Sequence, residues 1–187
     1  MRLSLFVALT AALLASPAFA DASIAPAGAP APLVCRPESA LPRPYAKMNR
    51  PAILRVGAKR IGTLAIDEAH HALSAILGQL SWRAPIPEVF ADSLDAIVDG
   101  DQVIVALYSP ATGGAALISF ELASGKRRWT AEVAELAVAH SEYWNVVTIE
   151  KRKDEIVLRG DEAGGCTVQI FDAKTGKRRL NLQHRKW

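Results

Sequence analysis

Aromatic residues make up only 6% of the 187-residue chain, and it holds two cysteines, two methionines and four histidines. No C-x-x-C occurs and no histidine stands near either cysteine, which excludes a thiolate zinc site and a dithiol redox motif. G-x-x-x-x-G-K-[ST], G-x-G-x-x-G and G-x-S-x-G are missing as well, so a phosphate loop, a dinucleotide fingerprint and a nucleophile elbow are excluded in their usual forms. Beyond residue 20 no apolar run reaches the ~20 residues that a membrane-spanning helix requires. The formal net charge is only +3, too small for a global field that would gather polyanions.

What the chain does have begins at its first residues. Arg2, the run LSLFVALTAALLA and the small-x-small triplet Ala18-Phe19-Ala20 form a secretory signal peptide over 1–20, with cleavage expected before Asp21. Ser16 and Pro17 interrupt the run, which argues against a retained anchor. The exported chain is then periplasmic or extracellular and does not span a membrane after cleavage. Residues 21–44 hold six of the eleven prolines and many alanines, the composition of an extended linker, and a β-repeat domain is expected over 45–187. Export also bears on Cys35 and Cys166, because an oxidising compartment favours a disulfide between them over two separate buried thiols.

From ILRV onward, short apolar runs alternate with turn signals, the signature of strands and hairpins. AIVDGDQVIVAL reads as two strands joined at Asp99-Gly100-Asp101, and VVTIEKRKDEIVLRG has the same form with a charged turn. Residues 66–80 fit two readings. Ile66, Ala69, Leu73, Ile76, Leu77 and Leu80 fall at helical spacing, whereas the repeat described next favours a hairpin turning at Glu68 to His71.

ISFELASGKRRW at 118–129 aligns without gaps on QIFDAKTGKRRL at 169–180, placing Phe120 on Phe171, Glu121 on Asp172 and Gly125 on Gly176, with Trp129 on Leu180. A weaker copy is assigned to LAIDEAHHALSA, with Asp67 in the acidic position and no turn glycine. Each unit reads as a strand ending in an acid, a turn whose glycine takes positive φ, and a basic strand whose aromatic packs beneath the turn. A hairpin of this kind cannot bury its own apolar face, so copies must stack.

These motifs resemble the repeat of quinoprotein-type (PQQ-like) β-propellers, whose blades carry an aliphatic-Asp-x-x-Thr-Gly-Lys-x-x-Trp pattern. The resemblance implies structural, blade-forming roles for Gly125, Trp129, Asp172 and Gly176. It implies an all-β fold of two to three propeller-blade-like antiparallel repeats of about 50 residues. A closed propeller usually has ~4–8 blades, so an open or incomplete propeller is expected, and a homo-oligomer completing a ring is one arrangement consistent with the count. The adjacent cysteines and calcium-binding acids that hold the cofactor in that family are not matched here. No cofactor, catalytic residue or metal ligand is therefore assigned.

The remaining candidates have plainer accounts. His70 and His71 beside Asp67 and Glu68 read as a solvated turn, and His140-Ser141-Glu142 has the residue types of a triad without its motif. The clusters Lys126-Arg127-Arg128, Lys151-Arg152-Lys153 and Lys177-Arg178-Arg179 are short and lie at turns or strand edges, so nucleic acid is not expected as a partner. Tyr143 and Trp144 supply rigid contact area and are the candidate contact surface, or else blade-core positions. The function read from these features is an exported soluble binding or scaffold module for a protein or cell-envelope component. A small exported hydrolase or redox enzyme is the alternative.

Overall fold

The computed structural model of the protein describes residues 33–37, 49–67, 71–86, 91, 93–109, 115–134, 146–162 and 164–185. Among the described residues twelve strands form three four-stranded antiparallel sheets. The first sheet holds β1 (Ala52–Val56), β2 (Lys59–Asp67), β3 (Ala72–Leu77) and β4 (Leu80–Pro85) in sequence order. The second holds β5 (Ser93–Asp99), β6 (Gln102–Tyr108), β7 (Ala115–Glu121) and β8 (Arg127–Ala131). The third holds β9 (Val146–Arg152), β10 (Glu155–Glu162), β11 (Gly165–Asp172) and β12 (Arg178–Arg185). Among the described residues no helix is long and apolar enough to cross a membrane.

Each sheet is a meander that can hide only one face by itself, and stacking hides the rest. Leu54, Leu64, Leu73 and Trp82 of the first sheet meet Leu94, Val103, Val105, Ile118 and Phe120 of the second. The other face of the second sheet, with Ile104, Ala106 and Leu117, meets Val147, Ile149, Ile156, Leu158 and Phe171 of the third. The middle sheet is thus covered on both sides, which explains why β6 is an unbroken run, QVIVALY, buried at all seven positions. The first strands, β1, β5 and β9, pack side by side. The architecture is an open stack of three propeller-like blades.

The described residues of 66–80 are strand and turn, with Ile66 and Asp67 ending β2, Ala72–Leu77 forming β3 and Leu80 opening β4. Asp67 faces Ala72 across the β2–β3 connection, and Ile66 pairs with Leu73. Leu73 and Leu77 lie four residues apart in β3, an even number that suits period 2 as well as a helical turn, so the spacing alone could not separate the two.

The weak third copy needs correction. Asp67 ends the second strand of its sheet, whereas Glu121 and Asp172 end third strands. The true counterpart is one hairpin further on. Trp82 lies opposite Ala75 as Trp129 lies opposite Ser119 and Leu180 opposite Ile170. The two-residue turn Gly78-Gln79 replaces the five-residue turns of the other blades, which removes the acid, the glycine and the lysine by which the repeat is otherwise recognised.

Candidate functional site

The longer turns are built identically. In the second blade Glu121 N donates to Lys126 O and Gly125 N to Glu121 O; in the third, Asp172 N donates to Lys177 O and Gly176 N to Asp172 O. Gly125 and Gly176 have φ of 71° and 70°. The aromatic does not pack beneath its own turn but against the turn of the following blade. A Cβ on Gly125 would lie 2.5 Å from Cε3 of Trp82, and one on Gly176 would lie 2.5 Å from Cε3 of Trp129. Glycine is required twice over, by backbone conformation and by the ring lying flat on the turn. Trp82 Nε1 donates to Leu122 O at 2.9 Å. The counterpart carbonyl, Ala173 O, instead accepts from Gln102 Nε2 at 3.3 Å, and Trp129 Nε1 has no hydrogen-bond partner among the described residues.

The Lys-Arg-Arg triplets are clasps. Arg127 reaches back to Pro85 O at 2.8 Å and Arg178 to Glu132 O at 3.1 Å, each gripping the end of the preceding blade. The second arginine sits at a bulge, since the register shifts between Ser119 and Phe120 and again between Ile170 and Phe171. The bulge re-aims that side chain toward the acids of its own blade. Arg128 donates to both carboxylate oxygens of Asp101, and Arg179 to Glu155 and Asp172. Further links join the second and third blades: Ile149 N to Asp95 Oδ2, Lys151 to Asp99, and a two-way clamp between Gln169 and the backbone of Ala134.

Two of these acids, Asp172 and Asp101, are tuned by their partners. Asp172 Oδ1 accepts from Thr175 Oγ1 and from the amides of Thr175 and Lys174, and these bonds, with Arg179, hold its carboxyl below the ordinary 3.8. The Arg128 hydrogen bond does the same for Asp101. Both folded-state values lie below the unfolded one, so their contribution is present above 3.8 and is lost as pH falls through the lower, folded values. Denaturant midpoints measured at about pH 5 and about pH 3 should therefore converge for Asp172→Asn relative to the parent, whose midpoint falls more steeply. Equal slopes would mean the turn bonds do not couple to folding.

The two outermost faces differ. On the third sheet, Cys35 is disulfide-bonded to Cys166, so the described segment 33–37 lies over that face. Arg159 forms a bidentate pair with Asp161, which is 1% exposed, and donates to Val34 O at 2.9 Å; Arg36 lies 3.6 Å from the same carboxylate. On the first sheet, Ile53 and Ile76 are exposed, and a hollow of about 500 Å³ is lined by Asn49, Arg50, Pro51, Ala65, Asp67 and Ser74.

Of the sequence candidates, the disulfide cysteines are joined, and Gly125, Trp129, Asp172 and Gly176 stand at blade turns and junctions. Tyr143, Trp144, His70, Glu68 and the His140–Glu142 run lie outside the described residues. Asp67 pairs with Arg83, and His71 O accepts from Ile86 N. Among the described residues no three His, Cys, Asp or Glu side chains stand together to hold a metal ion. The exposed pair Ile53 and Ile76 escaped sequence reading, although the equivalence of Trp82 with Trp129 would have located it.

No family model matches the chain, and no curated protein matches it. Among solved structures it is similar to Kuenenia stuttgartiensis Hydrazine Synthase at 12% identity and a TM-score of 0.47. The likeness covers 73% of this chain and 38% of that one, so the chain spans well under half that protein's length.

Proposed function

We propose that the protein is an exported binding or scaffold module, built from blades of the PQQ-like kind, that acts by holding a partner rather than by catalysis. The observation that carries this reading is a contrast between positions. The repeated polar residues close contacts within or between blades, while Ile76 is 61% exposed at the position where Phe120 and Phe171 are fully buried. The polar groups serve the fold, and an apolar blade surface is left for something else. The Cys35–Cys166 bond supports an oxidising location. Tyr143 and Trp144, in the connection between β8 and β9, are proposed as further contact residues on their chemistry alone.

The test is made on chain recovered from the periplasm or medium of an expressing bacterium. Intact mass should correspond to a chain starting at Asp21 with one disulfide. A panel of esterase, glycosidase and dye-linked dehydrogenase substrates should show no turnover above background. Turnover abolished by a point change in one polar residue would overturn the reading, as would recovery only of a reduced chain that retains Met1.

A further inference from the structure

Charge is sorted between the two ends of the stack. Each meander turns twice at one end, between its first and second strands and between its third and fourth. Trp82, near the start of β4, lies on the β7–β8 turn, and Trp129, near the start of β8, lies on the β11–β12 turn, so the turns of all three blades gather at one end. Residues 55–60, 77–80, 99–102, 121–128, 150–155 and 172–179, in and beside these six turns, hold thirteen lysines and arginines against seven acids, a net +6 where the whole chain has only +3. The connections at the other end, 68–71, 86–92, 109–114, 132–145 and 163–164, contain Glu68, Glu88, Asp92, Glu132, Glu135 and Glu142 and no lysine or arginine.

Ion pairs inside the turn end leave the excess uncompensated. Asp99 pairs with Lys151, Asp101 and Glu121 with Arg128, Glu150 with Arg152, and Glu155 and Asp172 with Arg179. Among the described residues, Lys59, Arg60, Lys126, Lys153, Lys174 and Lys177 are exposed there without an ion pair, against one unpaired acid, Asp154. Five of these six cations are lysines, flexible point charges rather than the planar forks that grip a fixed carboxylate. They stand on the turns of all three blades.

Two aliphatic side chains share this end. Val56, at the end of β1, is 56% exposed and Leu80, at the start of β4, is 54% exposed, both on the blade that carries Lys59 and Arg60. The turn segments contain no aromatic residue, so a nucleic-acid base would find nothing to stack on. A bilayer with anionic headgroups meets both features, because it attracts lysines without fixing their spacing and takes aliphatic side chains at its interface.

We propose that the turn end docks on an anionic phospholipid bilayer, with the unpaired lysines over the headgroups, Val56 and Leu80 entering the interface, and the acidic connections directed away. The inference rests on the binding-module reading and names a lipid surface as its cell-envelope component. The opposed charges of the two ends would orient the chain on that surface.

Co-sedimentation of the full exported chain with vesicles tests this. Phosphatidylcholine mixed with phosphatidylglycerol should retain the chain, phosphatidylcholine alone should not, and added salt should release it. Lys126→Gln/Lys174→Gln/Lys177→Gln removes three unpaired charges and should weaken retention at least about tenfold. Val56→Thr/Leu80→Gln keeps the charge; it should weaken retention about threefold or more while binding to soluble dextran sulfate stays unchanged. Melting temperatures of both variants should hold within a few degrees, and the two alter different properties of one end, so either decides the matter if the other folds poorly. Equal retention on phosphatidylcholine alone, no retention on the mixed vesicles, or full retention of the folded lysine variant overturns the inference. Full retention of the folded aliphatic variant, or dextran sulfate binding without vesicle binding, identifies a general polyanion site and overturns the lipid assignment. All of these outcomes leave the binding-module reading intact, which only turnover would remove.

Discussion

Replacing Gly125 or Gly176 with valine should cost about 2–5 kcal/mol, because two penalties add. A β-branched residue at φ near +70° costs roughly 1–2 kcal/mol in backbone strain. The new Cβ, 2.5 Å from a tryptophan ring, also forces that ring out of the junction, with overpacking worth about 1–3 kcal/mol. Gly100 separates the two effects. Its φ is 60°, yet a Cβ there would meet nothing within 4 Å, so Gly100→Val should show the backbone penalty alone. Chemical denaturation of the three variants is the measurement. Equal losses at Gly100 and Gly125 would mean that the Trp82 contact contributes nothing. If it does contribute, Trp82→Ala should make Gly125→Val less costly, a coupling that a double-mutant cycle reads directly.

Loss of the Cys35–Cys166 bond has the other large expected effect. The crosslink spans 131 residues, for which the chain-entropy relation gives about 5 kcal/mol. Part of this can be recovered in the folded state. Segment 33–37 is a short piece that can detach while the sheets persist, so the measured loss for Cys35→Ser/Cys166→Ala should be about 3–5 kcal/mol. Detachment also takes Val34 O and Arg36 away from the Arg159–Asp161 pair, which then meets water. Limited elastase digestion should cut after Val34 in this variant well before the sheets are cleaved. An unfolding free energy within about 0.5 kcal/mol of the parent would show that the segment adds nothing to the fold.

The second and third blades were legible in the sequence because their turns share local chemistry: an acid that caps the turn, a glycine at positive φ and a Lys-Arg-Arg exit. The first blade was misplaced for the same reason in reverse. Its Gly78-Gln79 turn needs none of those residues, and the aligned acid fell on Asp67 in the wrong strand. Trp82 was the surviving mark, 47 residues before Trp129, but a lone tryptophan carries little weight without its turn. The junctions themselves were not legible. That Trp129 lies on Gly176 rather than on Gly125 follows from how one sheet settles on the next, a relation between residues 47 apart that no local pattern encodes. The Lys-Arg-Arg triplets read as solvated edges in sequence, yet the first arginine of each crosses to the preceding blade. The second arginine, which turns to the acids of its own blade, depends on the bulge, which appears in sequence as nothing more than an extra residue.

The tryptophan-on-glycine contact is a one-way joint, since every blade that takes part either offers a ring, accepts one, or does both. The first blade only offers and the last only accepts, because its Leu180 stands where the ring would be. The middle blade alone does both. It is therefore the interchangeable part of the molecule: tandem duplication of that one unit would lengthen the stack without inventing a new interface, whereas duplicating either neighbour would create a junction lacking one half of the lock.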